Sequence, residues 1–254
     1  MMNDFEKTFD NLAKQYDPNT IFNEFLDYSI DINIMSLQNR NLDFKGREKH
    51  YFEMFKSWIE LTNNELNKTT SPQNVNEGNG WYDYLGIFYE AIVQTKFKAG
   101  ARGQFFTPAN VCELMVQLCL MGKDADNNNN IVNDCCCGSG RFLLAAHKYF
   151  PNSIMIGGDL DEVACKMTVL NMYIHGVTGS VLHKNTLTGE FFGGWRINKY
   201  LHYGFPIPHI ELINSEWEAY RFIDLNGNDN QVDLDDGNVI DLSIPTETVQ
   251  SKLM

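Results

Sequence analysis

The residues with the clearest chemical potential lie between Asp134 and Asp159. The stretch "NDCCCGSG" sets Asp134 ahead of three cysteines and a Gly138-Ser139-Gly140 turn, and Asp159 follows 19 residues beyond Gly140. Glycines lack the Cβ that would block close backbone approach, and a helix starting after such a turn offers unpaired amides. A carboxylate that closes the next strand can accept both hydroxyls of a ribose. Asp134, at the end of the preceding strand, could take a cationic amine. These features together fit a nucleoside ligand. The plainer alternative is that Gly-x-Gly is an ordinary turn and Asp an ordinary strand terminator.

The cysteines invite a different chemistry, and their spacing argues against it. Cys112, Cys119, Cys135, Cys136, Cys137 and Cys165 form no C-x-x-C pair of the kind zinc sites use. Neighbours on a strand point to opposite faces, so three in a row cannot converge on one ion. No metal is expected, and the thiols read as reduced, buried, small hydrophobes.

Positioning these groups requires a particular order of elements. Thr107 and Pro108 form an N-cap and first helical position, and Val111, Leu114, Met115 and Leu118 recur at helical spacing until Gly122. "NIVNDCC" then reads as a short strand, Gly138 to Gly140 as a turn, and "RFLLAAHKYF" as a helix stopped by Pro151. "SIMIGGD" is a strand ending in Asp159, "DEVACKMTVLNMYIH" a helix closed by Gly176, and "GSVLHKN" a third strand. This alternation predicts an α/β fold with a parallel, doubly wound, Rossmann-like sheet, in which ligands bind at the carboxyl ends of the strands.

The flanks differ in character. Residues 1–70 carry helical periodicity, as in Ile21, Phe22, Phe25, Leu26 and Tyr51, Phe52, Phe55, Trp58, Ile59, and read as a small helical N-terminal domain. Residues 71–80 read as a linker or loop, and residues 81–254 as the sheet domain. From about 210 the chain becomes acidic and strand-rich, with ten acids against two bases, part of a net charge of −13. A lone nucleic-acid binder normally shows a basic face. The glycine of "DLNGND" falls at the fourth position, not the sixth, which excludes a calcium loop of the helix-loop-helix type. There is no run of about 18 apolar residues and no basic-then-apolar leader, so a cytoplasmic protein without a membrane span is expected.

"GQFFTP" at 103–108, "DCCCGSGRFL" at 134–143, "GGDLDEVACKMTVLNMYIHG" at 157–176 and "NTL" at 185–187 resemble, in order and spacing, the motifs of S-adenosylmethionine-dependent amino-methylating DNA methyltransferases. The likeness is closest to the modification subunit of type I restriction-modification systems. "YDYLGIFYEAIVQTKFKAGARGQFFTP" also resembles the segment by which that family enters its catalytic domain. The resemblance implies S-adenosylmethionine as cofactor and adenine in DNA as the methyl acceptor. It implies that Phe106, Thr107 and Pro108 line the methionine end of the cofactor. Asp134, Cys137, Gly138, Ser139 and Gly140 correspond to the cofactor turn, with Cys135 in place of the family's usual proline. Asp159 would take the ribose hydroxyls, Leu160 would pack on the adenine, Asn185 would face its amine, and Leu187 would pack nearby.

The catalytic block departs from the family pattern. Freeing an exocyclic amine from ring conjugation is the task of an Asn-Pro-Pro-aromatic sequence, whose aromatic ring stacks on the flipped base. No Asn-Pro-Pro occurs here. "HIELINSEW" reads as a strand followed by Asn214-Ser215-Glu216-Trp217, which keeps the first and fourth residue types, so Asn214 and Trp217 are the candidate catalytic pair. The other reading makes Asn214 a turn residue and Trp217 a packing residue. No segment for reading a DNA sequence is recognisable after Trp217, so specificity is expected from a partner subunit, in a hetero- or homo-oligomer. Two functions stay open: an adenine-specific methyltransferase, or an inactive cofactor-binding relative with a regulatory or anti-restriction role. A dinucleotide site is a third, disfavoured because only two glycines precede the helix.

Overall fold

The computed structural model describes residues 2–34, 42–69, 80–94, 106–120, 122, 131–201, 207–223, 229–231 and 239–241. The expected linker, apart from Gly80, and the Asn-rich run at 124–130 lie outside them. Helix α1 (Asp4–Ala13) starts at a reciprocal cap, in which Asn3 Oδ1 accepts from the Glu6 amide while the Glu6 carboxylate accepts from the Asn3 amide. Helix α2 (Pro18–Asp31) has Asp17 as its cap and Pro18 in its first turn, and α3 spans Glu48–Thr69. Their apolar faces bury Phe5, Phe9, Ile21, Phe22, Phe25 and Trp58, while Phe52 points outward. The short helix α4 (Tyr84–Phe88), continued by a π-helical turn at Tyr89–Gln94, sends Phe88 into this cluster. Its ring meets those of Phe5 and Phe9 edge-on at 4.9 Å.

The second layer is a sheet. Strands β1 (Ile131–Asp134), β2 (Ile154–Asp159) and β3 (Gly179–Asn185) run parallel, linked through α6 (Arg141–Tyr149) and α7 (Glu162–Ile174). Helix α5 (Ala109–Leu120) precedes β1. β4 (Glu190–Ile197) and β5 (Ile210–Ile213) continue the sheet antiparallel beyond β3, and β8 (Val239–Asp241) pairs in parallel with β1. The order is β5-β4-β3-β2-β1-β8, so the direction of winding reverses at β1. β6 (Arg221–Ile223) and β7 (Asp229–Gln231) form a separate two-stranded ribbon.

Alternation along the strands divides the core. Val132, Met155, Val181 and Trp195 face the helices, in one cluster continuous with the aromatic residues of α1 to α3. Ile131, Ile154, Ile156, Leu182 and Ile213 face the other way, against Ala219 of a 3-10 helix at Glu216–Tyr220. β2 is buried on both faces, as a central parallel strand must be.

The three predicted strands and their crossover helices stand within about two residues of their expected limits, β1 ending at Asp134 before the cysteines. Two features differ. Pro108 O accepts from the Val111 and Cys112 amides at the start of α5, so Pro108 caps the helix instead of opening it. Cys112 and Val116 form the buried face of α5, while Val111, Leu114 and Leu118 are exposed. The strand-rich C-terminal part also divides: among the described residues, β8 joins the sheet in parallel beside β1, while β6 and β7 pair with each other.

Candidate cofactor site

The site is built where β1 ends. The Gly140 amide donates to Cys137 O at 2.8 Å, closing the turn, and the Cys137 amide donates to Gly158 O at 2.9 Å, tying it to β2. Gly138 has φ +55°, and a Cβ there would lie 2.8 Å from the Phe106 ring. Only glycine suits both the backbone and the close approach. Thr168 of α7 donates its hydroxyl to Gly138 O at 2.8 Å from beneath. Gly140 begins α6 in the left-handed region with no side chain capping the helix, which leaves its first-turn amides to a ligand or solvent.

Asp159 is coupled to this turn. Its Oδ2 accepts from the Gly138 amide and its Oδ1 from the Asp161 amide, both at 2.9 Å. Each oxygen retains a lone pair for another donor, which suits a vicinal diol. Phe106, Thr107, Cys136, Cys137, Gly138, Ser139, Arg141 and Asp159 line a cleft of about 180 Å³. Cys119 and Cys136 are exposed and Cys135 is intermediate, contrary to the expectation of buried thiols, whereas Cys112, Cys137 and Cys165 are buried. Partial desolvation, then the neighbouring Cys135, pushes the Cys136 thiol up to about 11, and burial holds Cys137 well above its ordinary range. Neither thiol is a ready nucleophile near neutral pH.

The structure thus brings together Phe106, Thr107, Cys137, Gly138, Ser139, Gly140 and Asp159. Asp134 lies buried beneath the turn, where its Oδ1 accepts from the Cys136 amide at 3.1 Å. Leu160 is exposed beside Asp159, with the His183 ring 3.2 Å from its carbonyl. Asn185 closes β3 and spends its Oδ1 on the Leu187 and Thr188 amides, and Leu187 is 97% exposed. Thr186 donates to Cys135 O at 2.8 Å, holding that loop against the cysteine turn. Pro108 faces a neighbouring cavity instead of the cleft.

Asn214 and Trp217 are not brought to the cleft. Asn214 ends β5, three strands from β2, a separation of roughly 14 Å at the usual strand spacing. Its amide donates to Glu218 Oε2, and Ser215 donates to Glu218 Oε1, which is how a short helix is started. Trp217 is half-exposed, and Glu216 pairs with Lys184.

Residues 81–201 match the N-6 DNA methylase family. This segment is similar to N-6 DNA methylases. The chain is 24% identical over 148 residues to the type I restriction enzyme MjaIX methylase subunit of Methanocaldococcus jannaschii, an alignment covering 55% of the chain and 24% of that protein. The chain therefore spans about a quarter of that relative's length. A type I restriction-modification system methyltransferase subunit from Streptococcus thermophilus superposes with TM-score 0.34 at 19% identity, covering 68% of this chain and 39% of that one.

Within the matched segment, four residues absent from the sequence-derived site converge behind Phe106: Asp83, Glu90, Arg141 and Asn171. Arg141 directly follows the glycine turn, and Asp83 and Glu90 sit in "YDYLGIFYE", so both segments carry a signal in the sequence although these side chains do not. Burial opposes the Arg141 charge, but Asp83 and Glu90 outweigh it and hold its pKa above the ordinary arginine value.

Proposed function

We propose that this chain binds S-adenosylmethionine in the cleft between Phe106 and Asp159 and serves adenine methylation of DNA as a cytoplasmic methyltransferase subunit of the type I restriction-modification kind. The observation that carries the reading is the joined pair of Gly138 and Asp159: a Cβ-free turn facing an aromatic wall, hydrogen-bonded to a carboxylate at the next strand end. The residues present fit such a cofactor. Asp159 would accept the ribose hydroxyls, held in aim by the Gly138 and Asp161 amides. Phe106 and Thr107 would wall the methionine end and exclude water, and Leu160 would cover the adenine. When bound, the cofactor supplies an electrophilic methyl group on a sulfonium centre.

Transfer to an amine is then a displacement governed by alignment, which the chain's residues serve by holding the donor still. The acidic balance of the chain and the distance of Asn214 from the cleft support a division of labour, in which a partner subunit brings the DNA and presents the base. The inactive, regulatory alternative is not favoured, since the matching family model and the Methanocaldococcus jannaschii relative are both described as methylases.

Calorimetric titration with S-adenosylmethionine tests the cofactor half. Saturable binding by the wild type, abolished in Asp159→Ala and Gly138→Val, is expected. A folded wild type that takes up no heat of binding would overturn the reading. Transfer of a labelled methyl group to adenine-containing DNA, with and without co-expressed partner subunits, tests the remainder.

A further inference from the structure

The buried carboxylate of Asp83 accepts from the Gly86 amide and Asn171 Nδ2 on one oxygen, and from the Ser139 hydroxyl and Arg141 Nε on the other, all within 2.6–2.8 Å. Gly86 carries no Cβ at the point where one would lie 2.1 Å from that carboxylate. Arg141 spreads the rest of its fork outward. One terminal nitrogen donates to Glu90 Oε2 at 2.9 Å, and the other reaches the Phe106 and Thr107 carbonyls at 3.3 and 3.2 Å. Glu90 completes the ring of contacts by accepting the Phe106 amide at 2.7 Å. The Arg141 guanidinium also lies over the Phe106 ring, 5.4 Å from its centre. Phe106 separates two spaces, the cofactor cleft on one side and a cavity of about 620 Å³ lined by Trp81, Tyr82 and Ile87 on the other. Packing alone therefore does not fix the height of this wall.

We propose that Arg141, anchored by Asp83 and Glu90, is a positioning residue for the cofactor, which clamps the Phe106–Thr107 main chain so that the ring stays pressed against Gly138. This deepens the cofactor reading above and rests on it. The clamp needs a planar fork that bonds in several directions at once, which a lysine ammonium cannot reproduce. It also ties the cofactor wall to α4, whose Phe88 is embedded among the N-terminal helices.

Hydrogen exchange by mass spectrometry, without ligand, tests the clamp independently of binding. Arg141→Lys is expected to speed exchange at 106–109 at least tenfold while peptides of α7 and β3 keep their protection. A merely structural role would instead raise exchange throughout, or lower the thermal midpoint with no local effect, and either result overturns the proposal. Calorimetry with S-adenosylmethionine then compares the same variant with the wild type, and at least a tenfold loss of affinity at a near-unchanged thermal midpoint is expected. Unaltered affinity beside a loosened wall would also overturn it. If the wild type binds no cofactor, the cofactor reading and its positioning role both fall, while exchange still decides whether Arg141 holds the wall. Glu90→Ala, at a partly exposed carboxylate, carries the same pair of measurements should Arg141→Lys fail to fold.

Discussion

At the scale of single residues, the molecule spends its polar burial on holding a turn and a wall. Asp159 shows the logic: the oxygens proposed to meet the ribose are already aimed by two main-chain amides. His147 shows a cost. Burial, with His175 as a smaller contribution, lowers its pKa to about 4, whereas in the unfolded chain histidine titrates near 6.5. Between those values the unfolded state holds the extra proton, so the stabilisation present above about pH 6.5 is lost as the pH falls toward 4. By pH 5 this site alone is expected to remove roughly 2 kcal/mol. Urea unfolding at pH 7.5 and pH 5 should show wild type losing about that much more than His147→Gln, and parallel losses would refute the assignment.

At the scale of elements, α5 is the place where periodicity and packing part company. Apolar residues at 111, 114, 115 and 118 fit one helical stripe, yet Cys112 and Val116 occupy the core while Leu114 and Leu118 are more than half exposed. The buried Glu113 explains part of this. Its carboxylate takes the Trp81 indole and the Tyr149 hydroxyl, both at 2.7 Å, so the helix turns that face inward. Val116→Ala should therefore cost on the order of 1–3 kcal/mol, whereas Leu114→Lys with Leu118→Lys should stay within about 0.5 kcal/mol of wild type each. The reverse ranking in denaturant midpoints would mean that the stripe, not the Cys112 face, is the core. α6, β2 and α7 gave no such conflict, because the Gly138–Gly140 turn, Pro151, the Asp161 cap and Gly176 mark their limits.

At the scale of the whole molecule, the helical layer and the sheet share one core. Phe88 joins the rings of α1 and α2, and Lys166 of α7, almost fully buried, reaches Asp27 of α2 at 2.9 Å. A continuous apolar cluster favours a single cooperative transition. Variants that keep only Trp58, in the helical layer, or only Trp195, in the sheet, should unfold at the same urea midpoint. Midpoints separated by more than about 0.3 M, well beyond fitting error for such slopes, would show two independent units.

The sequence by itself determined the local pieces: β1 through β3 with their crossover helices, the Gly138 to Gly140 turn, and Asp159 at the end of β2. Those signals are short-range, carried by capping residues, positive-φ glycines and apolar alternation within a dozen positions, so they survive without knowledge of the fold. Tertiary structure alone decided which distant side chains meet. Asp83 reaches Ser139 and Arg141 from 56 and 58 positions away, and no local pattern encodes that encounter. It also decided where Asn214 goes. A strand followed by Asn looked fit for catalysis, but the antiparallel pairing of β4 and β5 carries it to the far edge of the sheet. Strand order depends on pairing across the whole domain, and an isolated four-residue strand contains no record of its neighbour.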